Sequence, residues 1–167
     1  MHPLTQILSP ALPPTDLIAT QPNWIRADFN RAVFQLSSSL KTHNVQSAAL
    51  WFDDAALFAC AVLAAWHAGA RVLLLPNVAP ENIAWGEMAD IFLTDNLVHH
   101  NAWHLPEILA QRQPENDRQP ENTAIPAAAE AHLKTSGSSG NAQIIVKTAA
   151  QMQAEALALA AALPFDH

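Results

Sequence analysis

Cationic residues are scarce in this 167-residue chain: eight Lys and Arg stand against fifteen Asp and Glu, a formal net charge of −7. Neutralising a phosphate backbone takes clustered Lys and Arg, so nucleic acid is excluded as an expected partner. Cysteine is reduced to Cys60. It lies in an apolar helical run and forms no internal disulfide, so it reads as a small buried hydrophobe. Long apolar runs are missing too. The longest, Ala55 to Trp66, is shorter than the roughly 20 residues that span a bilayer. The N-terminus has no basic region followed by an apolar segment, so the expectation is a cytoplasmic chain without a secretory signal. Half of the residues are hydrophobic, which suits one globular domain with a real core.

What is present reads as alternating strands and helices. Met1 to Gln21 (1–21) is proline-rich, has no clear period, and reads as a mostly extended arm. Trp24 to Leu40 carries Phe29, Val33, Leu36 and Leu40 at spacings of three and four, a helical stripe. Ala48 to Phe52 is a short apolar strand. Asp53-Asp54 then caps a helix from Ala55 to Ala68, and Gly69 ends it. That helix is apolar nearly all round, which implies burial on more than one side. Arg71 to Leu75 is the next strand, stopped by Pro76. Strand, helix and strand have the size of a right-handed βαβ unit, which makes the two strands parallel neighbours. Ligands of such sheets bind beyond the carboxyl ends of the strands. The polar residues there are Asp53, Asp54 and Asn77.

Ile91 to Thr94 reads as a third strand turning at Asp95-Asn96, which gives a βαβ-type core over 48–95. Pro106 to Gln111 suits one helical turn or two. Gln111 to Glu130 (111–130) is poor in large apolar residues and contains Gln-Pro-Glu-Asn at 113 and again at 119, so an exposed linker is expected. His132 to Lys134 and Gln143 to Lys147 read as strands. Thr148 with Gln151 forms a capping-box pattern. The helix that follows has an apolar stripe of Met152, Ala156, Leu159 and Leu163 before Pro164. The segment 132–163 is thus a hairpin and a helix, and the class is α/β with a mostly parallel sheet and flanking helices.

Several residue groups invite chemistry and fail a spacing test. His100 and His104 would share a helix face with His99 nearby, but no carboxylate or cysteine completes a metal set, and no metal is expected. Asp53 and Asp54 are adjacent at a strand end and point to opposite sides, so capping suits them better than a carboxylate dyad. Trp51 and Trp66 read as core. Ser136, Ser138 and Ser139 do not form a nucleophile elbow, which needs Gly-x-Ser-x-Gly between strand and helix.

One stretch organises the rest: Thr135-Ser136-Gly137-Ser138-Ser139-Gly140. The glycines permit unusual backbone angles and close approach to a ligand. The hydroxyls add donors, and successive N–H groups in such a loop form an anion-binding concavity. The bland alternative is a flexible Gly/Ser linker. A linker has no reason to lie inside a hairpin that feeds a capped helix. The loop is not a Walker A motif, since Gly140 is followed by Asn141-Ala142-Gln143 and a β-branched run rather than by Lys-Ser/Thr and a helix.

These residues resemble the phosphate loop of the adenylate-forming superfamily: acyl- and aryl-CoA synthetases, luciferases and peptide-synthetase adenylation domains. The family pattern is Thr-Ser-Gly-Ser-Thr/Ser-Gly, any residue, Pro, Lys. Here Ala142 stands at the Pro position and Gln143 at the Lys position. The continuation Ile144 to Met152 is similar to bacterial acyl-CoA synthetase-like members, and the Ala-Asp step before Ile91 also resembles the superfamily. The resemblance runs from about Trp24 to the C-terminus. It implies the front part of a doubly wound N-terminal domain, here one incomplete domain over 1–167, from a ligase that joins a carboxylic acid to AMP and then to the thiol of CoA or a carrier protein. It implies ATP and Mg²⁺ as cofactors, with Thr135, Ser136, Gly137, Ser138, Ser139 and Gly140 holding the β- and γ-phosphates. Gln143 would donate a hydrogen bond, and Lys147 or Lys134 would compensate for the missing lysine. Catalytic residues are not identified, and the chain by itself is expected to be inactive, being either shortened or a naturally short product. The alternative is a non-catalytic α/β interaction module that keeps the loop as a structural hairpin. A half-built sheet exposes apolar surface, so a homo-oligomer is also expected.

Overall fold

A computed structural model describes residues 2–20, 23–96, 102–111, 120, 122–135 and 142–163. In chain order, a 3₁₀ turn at Leu4–Gln6 is followed by β1 (Leu17–Thr20), β2 (Asn23–Ile25), α1 (Arg26–Thr42), β3 (Ser47–Trp51), α2 (Ala55–Ala68), β4 (Arg71–Leu74) and α3 (Pro80–Gly86). Then come β5 (Ile91–Thr94), β6 (Trp103–His104), α4 (Leu105–Ala110), β7 (Glu130–Thr135), β8 (Gln143–Thr148) and α5 (Ala149–Ala162).

The short apolar runs make one six-stranded sheet in the order β6-β5-β3-β4-β7-β8. β3 lies parallel to both β4 and β5, and β7 lies parallel to β4. Only β8 reverses, pairing antiparallel with β7 from Thr135↔Gln143 to Glu130↔Thr148. Strand alternation separates two apolar layers. Ala48, Leu50, Val72, Leu93 and Ala131 join α1 and α2 in the larger core. Ala49, Leu73, Leu75 and Phe92 meet Ile83 and Trp85 of α3 on the other face. Gly86 lets α3 come close there: a Cβ on it would stand 3.0 Å from the Phe92 ring and 3.3 Å from Ala49. The class is therefore α/β, with a mostly parallel sheet covered by helices on both faces.

Local rules account for the central unit. The Asp54 carboxylate accepts from the N–H groups of Ala56 and Leu57, both at 2.8 Å, and starts α2. Gly69 closes α2 at φ 87°, a left-handed angle that suits glycine. Trp66 is buried and donates from Nε1 to the Glu130 carbonyl at 3.0 Å, while Trp51 is half-buried against the second layer. Thr148 and Gln151 form the expected capping box at the start of α5.

Three parts of the sequence reading need correction. The proline-rich arm is not simply extended: it holds the 3₁₀ turn and β1, which pairs antiparallel with β2. It docks because α1 has no side-chain cap at Ile25. The Asp16 and Pro14 carbonyls accept from the N–H groups of Arg26 and Ala27 at 2.8 and 2.9 Å, and Leu8 is fully buried. The linker is not exposed throughout, for Ile125 is 1% exposed and its N–H donates to the Thr5 carbonyl at 3.0 Å. One apolar residue among small ones was enough to pin that stretch. Three elements, β2, α3 and β6, were absent from the reading because each is too short for periodicity to register, and Trp24 and Ile25 belong to β2 rather than to the helix read from Trp24. The apolar stripe of the last helix begins on the core at Met152 and continues exposed, with Leu159 at 61% and Leu163 at 58%.

The linker is held from the helical layer as well. His67 Nε2 lies 2.8 Å from the Asn122 carbonyl, and Ser37 Oγ lies 2.8 Å from Nδ1. Donation from Nε2–H to the carbonyl leaves the Nδ1 lone pair to accept from the Ser37 hydroxyl. Burial lowers the pKa of His67 below its usual 6.5, the charge of Lys41 adds to this, and the Asn122 carbonyl opposes it. The unfolded chain therefore binds more protons than the folded one just below pH 6.5. Stability is expected to be complete above that value and to fall as pH drops through it. Urea denaturation at about pH 7.5 and 5.5 should show the loss, and His67→Gln should make it measurably smaller.

Candidate functional site

The parallel strands β3, β4, β5 and β7 all end on one edge of the sheet, the edge where ligands of open α/β sheets bind. Leu74 of β4 pairs with Leu133 of β7, so Thr135 stands just past the neighbouring strand end. The chain returns at Gln143, and Thr135 and Gln143 are the last pair of the β7–β8 ladder. The Thr135 hydroxyl donates to the Gln143 carbonyl at 3.3 Å and closes the neck. The loop therefore opens from the carboxyl edge. Ser136, Gly137, Ser138, Ser139 and Gly140 themselves lie outside the described residues.

Other groups on this edge are engaged in structure. The Asp95 carboxylate accepts from the backbone N–H of Asp53 at 3.0 Å and of Asp54 at 2.8 Å, tying the ends of β5 and β3 together. Asp53 accepts from the Asn96 amide at 3.0 Å. Asn77 Oδ1 accepts from Ala79 N–H at 2.9 Å and from the Asn82 amide at 2.7 Å, which organises the approach to α3. Asp54 thus caps α2, as expected, while the Asp53 carboxylate is engaged with the Asn96 amide. The role of Asp95 was missed because its partners are backbone groups more than forty positions away.

The three residues proposed to supplement the loop are placed differently. Gln143 is exposed at its neck. Lys147 lies on the same face as Gln143 but at the far end of β8, about 13 Å along the strand. Its ammonium donates to both oxygens of Glu155, at 2.7 and 2.6 Å. Lys134 donates to the Glu81 carbonyl at 2.9 Å and lies 6.0 Å from the Trp85 ring centroid. His132 is paired with Glu130 at 3.0 Å. His99 and His100 lie outside the described residues, while His104 Nε2 lies 2.9 Å from the Asp95 carbonyl. No group of three metal-capable side chains occurs among the described residues, and no described helix is long and apolar enough to cross a membrane.

Comparison with solved structures gives the fold a context. o-Succinylbenzoate CoA synthetase (MenE) from Bacillus subtilis, in complex with the acyl-adenylate intermediate OSB-AMP, is 18% identical, with 99% of this chain and 47% of that one covered at a TM-score of 0.77. The same synthetase in complex with ATP and magnesium ion gives 16% identity, 87% and 42% coverage and a TM-score of 0.68. The NpsA N-terminal subdomain of Klebsiella oxytoca, in complex with 3-hydroxybenzoyl-AMSN, gives 16%, 89%, 41% and 0.64. The chain thus shares its fold with part of these structures, and it spans about a third to a half of the length of the matched structures. No protein-family model and no curated protein sequence matches the chain.

If Asp95 is a staple rather than a ligand group, Asp95→Ala should cost about 1–2 kcal/mol of stability, because two backbone donors lose a charged acceptor. Urea titration checks the cost.

Proposed function

We propose that this chain is the ATP-holding front portion of an acyl-adenylate-forming ligase of the acyl-CoA synthetase type. The observation that carries the reading is the placement of the loop mouth: Thr135 and Gln143 close a neck at the carboxyl edge of a parallel sheet. The likeness in fold to a synthetase crystallised with ATP and magnesium supports it.

In the reaction, the carboxylate of an organic acid attacks the α-phosphorus of ATP. The bond to the pyrophosphate oxygen breaks, and an acyl-adenylate and pyrophosphate result. A thiol of CoA or a carrier protein then displaces AMP and takes the acyl group. Negative charge grows on the pyrophosphate as it leaves. Backbone N–H groups and hydroxyls from Thr135 to Gly140 are suited to meet that charge at the β- and γ-phosphates. Mg²⁺, when bound with the nucleotide, neutralises part of the same charge. Gln143 contributes a neutral amide, and Lys147 contributes only after leaving Glu155. The grip is therefore weak, and the chain alone does not turn over. The cytoplasm, where ATP and CoA are available, is the compartment this chemistry needs.

A second reading, a non-catalytic α/β interaction module with the loop kept as a hairpin, draws on one observation. The position of the family lysine is held by Gln143, and both nearby lysines are engaged elsewhere. Calorimetric titration with MgATP separates the two. Saturable binding is expected, weakened at least tenfold in Gly137→Val, which blocks close approach of the backbone. Absence of binding at millimolar MgATP would favour the interaction module. The chain alone is expected to show no ATP–pyrophosphate exchange, and a protein that also carries the rest of the matched fold is expected to show it.

A further inference from the structure

The neck of the hairpin reaches past its neighbouring strand. The last parallel pair between β4 and β7 is Leu74 with Leu133, so among the described residues Lys134 and Thr135 pair with β8 alone. A side chain stands in for the strand that has ended. Lys134 shares the face of His132, whose partner Leu73 belongs to the layer beneath α3. On that side its ammonium donates to the Glu81 carbonyl, 53 residues away in sequence, at 2.9 Å, and lies 6.0 Å from the Trp85 ring centroid. α3 is a fixed support for this contact. Asn77 Oδ1 accepts from Ala79 N–H and from the amide of buried Asn82 at the start of the helix. Ile83 and Trp85 pack on the second layer, and Gly86 lets the helix lie close against Phe92. The Glu81 carbonyl therefore offers its lone pairs at a set position.

Two fastenings thus act at the neck in different directions. The Thr135 hydroxyl ties β7 to the Gln143 carbonyl within the sheet, and Lys134 ties the same end to the helix beside it. We propose that Lys134 is a positioning residue of the nucleotide site: it clasps the overrunning end of β7 to α3 and holds Thr135 in place for the ligand without touching the ligand itself. The assignment rests on the reading of this hairpin as the site that holds ATP. A segment ordered before its ligand arrives binds more tightly, because less conformational freedom is lost on binding. Lys147 is not placed for this task, since it lies about 13 Å along β8 from the neck and is held by Glu155.

MgATP titration and amide hydrogen exchange on the 167-residue chain test this together. Lys134→Met keeps most of the stem and loses the donor. It is expected to weaken MgATP binding about threefold to tenfold and to speed exchange of the amides at Lys134, Thr135 and Ile144. Lys134→Arg still donates to a carbonyl and stacks on a ring, so it should stay near the parent in both measurements. The loss in Lys134→Met should persist at about 300 mM salt, where a direct contact between ammonium and phosphate is screened. Asp90→Ala is the control for stability alone. The Asp90 carboxylate accepts from the N–H groups of Gln46 and Ser47 and from the Ser47 hydroxyl, at the amino edge of the sheet. Its loss should lower stability yet leave MgATP binding and exchange at the neck at parent values. Should Lys134→Met fail to fold, Trp85→Leu, which removes the ring beside the ammonium, carries the same expectation. If the parent binds MgATP, the assignment is overturned by unchanged affinity in Lys134→Met, by unchanged exchange at the neck, by a loss that vanishes at high salt, or by an equal loss in Asp90→Ala. A parent that binds no MgATP overturns the nucleotide reading and, with it, the role of Lys134.

Discussion

Parallel pairing of β7 beside β4 is the constraint on which the arrangement depends. Val72, Leu73 and Leu74 register with Ala131, His132 and Leu133, although more than fifty residues separate the two strands. That register aligns the end of β7 with the ends of β3, β4 and β5, so whatever follows Thr135 must emerge on the ligand side of the sheet. A shift by one residue would turn Ala131 and Leu133 away from the helical layer and put His132 in their place. The buried face thus fixes where Thr135 and Gln143 stand.

Electrostatics pulls against this placement. A triphosphate needs positive charge, and the chain has little to give. Its lysines near the hairpin are committed, one to a carboxylate on α5 and one to a carbonyl and a ring on α3. Both commitments fasten the hairpin to the helices on either side of the sheet, so the cations serve the position of the loop rather than its charge. On the proposed reading, an anion site without a free cation would rely on oriented N–H groups, whose reach is short and whose strength depends on excluding water.

Much of the fold was legible because its rules are local. Asp54 followed by an apolar run, Gly69 after it, and Thr148 with Gln151 three positions on all act within one or two turns, and the sequence displays them whole. The loop was singled out by composition and by resemblance, and Ser136 to Gly140 lie outside the described residues. What escaped has a common physical character. Asp95 works on backbone donors of a distant strand, Ile125 packs through a single side chain, and the arm is held by carbonyls that every residue possesses. None of these leaves a periodic or compositional mark. The α5 stripe shows the converse: the pattern was read correctly as apolar, and it is largely exposed, because a pattern does not say what lies opposite it.

The Leu4 N–H donates to Gln153 Oε1 at 2.7 Å, and Thr5 accepts from Ile125 nearby. The opening turn of the chain is thereby fastened to its closing helix and to the strap before β7. Contacts of such sequence separation come late in folding, since the intervening loop must first be closed. They also give the molecule a form of mechanical redundancy: a single backbone cut between β6 and Ile125 would leave two fragments still gripping one another, and the cleaved protein would keep its shape.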